Sequence, residues 1–178
     1  MATGVLYLVC CAAPPALHAE ELVVKAQARG WDVCVICTPT AARWLRDRSA
    51  WLEILTGHPV RSQYKLPGEP DVLPPADAML VTPATANTIA KWALGVSDTL
   101  ALGLITEAIG LRLPVAALPH LNAAQASHPA FAGHVETLRA AGVAVLLGPD
   151  GQMLAGSDPV NWDAALDELD RRISARQG

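Results

Sequence analysis

The chain has 178 residues, of which 52% are hydrophobic and 17% charged, enough apolar material to bury a sheet between helices without disulfides or metals. A formal charge of −4, from 13 basic and 17 acidic residues, gives no electrostatic footprint for nucleic acid or an anionic membrane. The apolar excess over one small core implies a covered subunit face, so the expectation is a single domain over residues 1–178 in a cytosolic homo-oligomer.

Gly4 to Cys10 is a continuous apolar run and reads as a first strand. The wider stretch from Gly4 to Ala16 is too short to cross a bilayer, has no basic leader and is broken by Pro14 and Pro15. A helix is predicted next, with Ala16, Ala19, Val23 and Ala26 on one face and Gly30 closing it. Asp32 to Cys37 is a second buried strand, and Thr38-Pro39-Thr40 supplies a cap and a proline start for a helix through Trp44 and Leu45. Ser49 to Leu55 continues helically, and Gly57 to Pro75 is a long polar, proline-rich connection. Ala78 to Thr82 is the third strand, followed by helical segments at Ala86 to Leu94 and Asp98 to Ile109. Val115 to Leu118 is the fourth. Phe131, Val135 and Leu138 mark a helix before a fifth strand at Val143 to Leu147, and Trp162, Ala165, Leu166, Leu169 and Ile173 mark an amphipathic last helix. This alternation predicts an α/β fold, a three-layer doubly wound parallel sheet.

The four cysteines, Cys10, Cys11, Cys34 and Cys37, all fall in strand-like segments and read as reduced core residues. Cys34 and Cys37 have the spacing of a redox motif, but an odd separation along a strand points them to opposite faces. The histidines at 18, 58, 120, 128 and 134 show no ligand-like pairing, no metal is expected, and no Gly-x-Ser-x-Gly elbow is present for a hydrolase. Neither Gly-x-Gly-x-x-Gly nor a Gly-Lys-Ser/Thr phosphate loop occurs, which removes the main support for dinucleotide and nucleoside-triphosphate binding.

In an open α/β sheet a ligand binds beyond the carboxyl ends of the strands. Those exits read Cys11-Ala-Ala-Pro-Pro15, Thr38-Pro-Thr40, Thr82-Pro-Ala-Thr-Ala-Asn-Thr88 and Pro119-His-Leu-Asn122. They hold small residues, hydroxyls and amides and no Lys, Arg, Asp or Glu, an inventory suited to a phosphate and a flat neutral ring.

The third exit, Pro83-Ala-Thr-Ala-Asn-Thr88 with Gly95 and Asp98-Thr-Leu100 downstream, resembles the Pro-Ala-Ser-Ala-Asn-Thr signature of the homo-oligomeric flavin-containing cysteine decarboxylases. The resemblance runs from Val5 to about Leu147 and includes phosphopantothenoylcysteine decarboxylase-like and lantibiotic decarboxylase-like members. It implies a Rossmann-like flavoprotein fold, FMN as cofactor, a trimer or a multiple of three, and oxidative decarboxylation of a substrate with a cysteine-type thiol. By the same resemblance Ala12, Ala13, Thr38 and Thr40 would surround the FMN phosphate. Pro83, Ala84, Thr85, Thr88 and Asp98 would belong to the cofactor site, Asn87 would hold the substrate carboxylate, and Asn122 the covering loop.

Four departures stand beside it. In the first loop the family usually carries Gly-Ser followed by small residues where this chain reads Cys11-Ala-Ala-Pro-Pro15, and the two prolines supply no N–H to a phosphate. Pro119-His-Leu-Asn122 keeps only Pro119 and Asn122 of the family's Pro-x-Met-Asn-x-x-Met-Trp, with Gln125 and Ala126 at the Met-Trp pair. Ser62 stands where members often carry a histidine that serves the oxidation, which leaves His58 and His120 as the substitutes. No cysteine follows Cys37, so a free enethiol is the expected product. Two alternatives share the fold. One is a UbiX-type flavin prenyltransferase, with Arg43, Arg61 and Arg112 to meet a prenyl phosphate; the other is an FMN-binding protein without decarboxylase activity.

Overall fold

A computed structural model describes residues 4–147 and 160–177. Five parallel strands form one sheet in the order β2-β1-β3-β4-β5, with β1 at Gly4–Cys10, β2 at Trp31–Cys37, β3 at Ala78–Ala84, β4 at Val115–Pro119 and β5 at Ala144–Val145. The chain moves from β1 outward to β2, then crosses back to β3 on the other side of β1. The two directions of winding therefore part between β1 and β3, where loops diverge and leave a crevice.

Period two in the strands assigns the faces. Leu6, Leu8 and Cys10 of β1, with Val33, Val35 and Cys37 of β2, pack on one side against α1 (Ala19–Ala28), α2 (Pro39–Trp44), α3 (Arg46–Thr56) and α8 (Trp162–Gln177). Tyr7, Val9 and Cys11, with Cys34 and Ile36, pack on the other against α4 (Ala86–Ala93), α5 (Leu100–Gly110) and α7 (Pro129–Ala140). The expected doubly covered parallel sheet is present, and all four cysteines are free and buried. Cys34 and Cys37 lie in opposite layers, as their spacing requires.

Local chemistry sets most boundaries. Pro14 and Pro15 open a 3-10 turn at Pro14–His18, so the first helix starts at Ala19 and not at Ala16. Thr38 caps α2 by accepting from the Ala41 N–H. The expected helix through Leu45 breaks there, with Leu45 as the junction to α3, and Gly57 ends α3 in the left-handed conformation at φ 75°. The long connection after it returns to the sheet once, where Arg61 bridges Ile36 at the edge of β2. β5 is shorter than the run Val143 to Leu147, because the Val143 N–H is spent on Leu138 O in the turn that ends α7. A short helix, α6 (Ala123–Ala126), follows β4. Among the described residues no helix is long and apolar enough to cross a membrane.

Candidate functional site

The strand exits are stitched together by backbone hydrogen bonds. Thr38 N donates to Cys10 O at 2.9 Å, Cys11 N to Pro83 O at 3.2 Å, and His120 N to Ala84 O at 2.9 Å. These bonds hold the segments after β1, β2, β3 and β4 around one cavity of about 650 Å³ at the carboxyl end of the sheet. Its lining includes Ala12, Ala13, Thr38, Thr40, Thr85, Asn87, Thr88, His120 and Asn122. Nine of the expected site residues thus converge on one space.

Their local geometry follows from the helix starts. Thr85 caps α4, with its Oγ1 accepting from Thr88 N at 3.3 Å, and the two hydroxyls lie 3.1 Å apart. Asn87 is exposed on the first turn of α4, and Thr88 is buried behind it. Asn122 caps α6, its Oδ1 accepting from Gln125 N at 2.8 Å, and lines the same cavity. His120 is 5% exposed at the end of β4. Beneath the lining, the Cys11 thiol is bonded to Thr88, and burial pushes it up to about 11. Cys10 and Cys37 are direct partners across β1 and β2, and their mutual hydrogen bond with burial holds the Cys10 thiol well above its ordinary value.

Four expected site residues lie elsewhere. Pro83 and Ala84 are still within β3, where their carbonyls accept from Cys11 and His120; they carry the loop and do not line the cavity. Asp98 is held by Lys91, Nζ to Oδ2 at 2.5 Å, and reaches the cavity only through it. His58 is outside altogether: its Nε2 lies 2.8 Å from Asp32 Oδ1 at the start of β2, the opposite end of the sheet from the exits. Ser62 is not a lining residue either.

Sequence reasoning missed Lys91, Thr99, Leu102 and Gln125, which also line the cavity. Lys91 brings an ammonium to a site whose strand exits hold no charge. The signal for it was available, since Lys91 follows Asn87 by four residues and the two share a face once α4 forms. The arginines considered for a prenyl phosphate are not in the lining. Arg61 faces a separate groove with Tyr7 and Tyr64, and Arg112 lies with Arg172 near the amino end of β4.

The chain is 36% identical over 130 residues to the coenzyme A biosynthesis bifunctional protein CoaBC of Mycobacterium tuberculosis, covering 71% of this chain and 30% of that protein. It is 30% identical over 142 residues to the CoaBC protein of Thermococcus kodakarensis, covering 74% and 34% respectively, so it spans about a third of the length of these relatives. The crystal structure of the FMN-dependent cysteine decarboxylase SpaF superposes with a TM-score of 0.71 at 21% identity, over 94% of this chain and 98% of that one, a likeness of fold. The family model described as Flavoprotein matches residues 5–174, nearly the whole sheet and its helices, and the chain belongs to that family.

Proposed function

We propose that this chain binds FMN in the cavity at the strand exits and uses it to decarboxylate a substrate bearing a cysteine-type thiol. One observation carries the reading: in a Flavoprotein family member, four strand exits rich in hydroxyls and amides converge on one cofactor-sized space at the β1/β3 crevice. The lining fits the cofactor chemically. Ala12, Ala13, Thr38 and Thr40 present small side chains and hydroxyls for the phosphate, and Thr85 and Thr88 present hydroxyls for the ribityl chain and ring. No carboxylate is among the lining residues described, so nothing there repels a phosphate.

When bound, FMN supplies a two-electron acceptor for the thiol-bearing carbon. The chain's own residues bind and orient. Asn87, exposed at the start of α4, offers amide N–H groups to the substrate carboxylate, and Asn122 holds the segment after β4 against the cavity by capping α6. Departure of the carboxylate as carbon dioxide leaves an enethiol, and no cysteine beyond Cys37 is available to reduce it further. The names of similar proteins support this class of reaction, SpaF being an FMN-dependent cysteine decarboxylase.

The test is direct. The purified protein, titrated with FMN, should bind one flavin per chain and then release carbon dioxide from peptides ending in cysteine. Binding of NAD or ATP in place of flavin would overturn the cofactor reading. Flavin binding without turnover of any cysteine compound would leave an FMN-binding protein of other function.

A further inference from the structure

Four helices hand over to the next segment through a glycine in the left-handed region: Gly30 after α1, Gly57 after α3, Gly95 after α4 and Gly142 after α7. After α5 that place is taken by Arg112 at φ 55°, the only non-glycine residue with positive φ among the described residues. Its N–H donates to Ile109 O and the Leu113 N–H to Ala108 O, the same two bonds that Gly142 and Val143 make at the end of α7. A glycine would close this turn without strain, so the turn itself gives no reason for an arginine. Nor is the strain offset by a contact within the chain, since the Arg112 side chain has no hydrogen bond or ion pair among the described residues.

That side chain lines a groove of about 440 Å³ at the amino end of β4 and β5, the opposite end of the sheet from the strand exits. Arg172 and Arg176 of α8 line it too, and the lining includes no carboxylate. The rest is apolar, with Ile109, Leu113 and Val143 among it. Arg172 has a structural duty: Nη1 donates to Gly142 O at 2.7 Å, and Nε to Glu168 Oε1 at 2.6 Å, a carboxylate it shares with Arg171. Arg176, like Arg112, has no side-chain partner among the described residues. The carboxyl ends of α5, α7 and α8 meet at the groove, each with a partial charge of roughly −0.5, and three full positive charges outweigh them. The groove is thus cationic in a chain of formal charge −4.

We propose that this groove is a second ligand site and takes an organic phosphate. Its phosphoryl group would lie between the guanidiniums of Arg112 and Arg176, with Arg172 behind, and a small apolar body would rest on Ile109, Leu113 and Val143. A guanidinium fork matches phosphate oxygens in a bidentate fashion, and a phosphomonoester, close to a dianion at pH 7, balances two unpaired cations as a single carboxylate does not. The volume is in the range of small-molecule sites, about 300–1,000 Å³. The inference is independent of the decarboxylase reading, which concerns the other end of the sheet.

The probe is phenyl phosphate, titrated calorimetrically into protein supplied with one FMN per chain, with inorganic phosphate and benzyl alcohol as the two halves of the probe. Phenyl phosphate should bind once per chain with a Kd below about 1 mM, inorganic phosphate about tenfold more weakly, and benzyl alcohol not measurably. Arg112→Gln and Arg176→Gln should each weaken phenyl phosphate about tenfold, as loss of a charged hydrogen bond does. Arg112→Gly separates binding from folding: glycine suits the turn, so Tm should hold or rise while affinity falls as in the glutamine variant. Wild-type affinity in the arginine variants would overturn the proposal, and so would inorganic phosphate binding as tightly as phenyl phosphate, no binding of phenyl phosphate, or displacement of FMN by it. FMN affinity and carbon dioxide release should be unchanged in all three variants. A protein that takes up no FMN would sink the flavin reading, and the same titration would still decide this one.

Discussion

The hydroxyls of Thr85 and Thr88 lie 3.1 Å apart where β3 hands over to α4, and Thr85 also receives the Thr88 N–H. One residue therefore serves both the helix start and the cavity lining. Thr85→Val should cost about 1 kcal/mol of stability as a lost cap and about fivefold in FMN affinity as a lost hydroxyl bond. Thr88→Val should weaken FMN by a similar factor, and Thr85→Ser should restore both properties. Denaturant melts and flavin titration measure the two effects separately. Wild-type FMN affinity in both valine variants would reduce the pair to a capping role.

Asn87 is the second residue of α4, a position where a carboxylate is favoured by the helix dipole. Asn87→Asp should leave thermal stability unchanged or slightly higher. On the proposed reading that Asn87 meets the substrate carboxylate, it also brings two like charges together in a partly desolvated site, where they repel. Carbon dioxide release from cysteine-ended peptides should drop at least about tenfold, equivalent to 1.4 kcal/mol, with FMN still bound. Full activity would show that the substrate carboxylate is held elsewhere.

Burial raises the Cys11 thiol from its ordinary 9.0 to about 11. The folded state then holds the proton more tightly than the unfolded state, so the contribution to stability is complete below pH 9 and is lost as pH rises from 9 toward 11. The slope from one such group is at most about 1.4 kcal/mol per pH unit. Urea unfolding between pH 8 and 11 should show this decline, and Cys11→Ala should make it shallower. An unchanged slope would mean that Cys11 ionises in the folded protein as it does in water.

Trp44 is 47% exposed, Trp51 56% and Ile54 74%, all on the successive helices α2 and α3. Such large apolar side chains on one region of the chain are costly to leave in water. Light scattering should give a mass of three chains of 18.7 kDa, or a multiple of three. A monomer mass would contradict the homo-oligomeric expectation.

The strands and the order of elements were legible in the sequence, because burial on both faces of a parallel sheet leaves apolar runs such as Gly4 to Cys10 that need no partner to be recognised. Period two likewise separates Cys34 from Cys37, and the exit rule picks out Thr38, Thr85, Asn87 and Thr88, which line one cavity. Other features depended on contacts between segments distant in sequence. His58 and His120 were equal candidates along the chain, and only the pairing of His58 with Asp32 at the far end of β2 removed one of them. Pro83 and Ala84 became part of the ladder because the loops after β1 and β4 bond to their carbonyls. Lys91 entered the cavity by the rotation of α4, and its charge met Asp98 across the turn into α5. Local pattern sets which backbone conformation each segment takes; which side chains then share a space is set by how the sheet orders its strands, and that is a property of the packed chain.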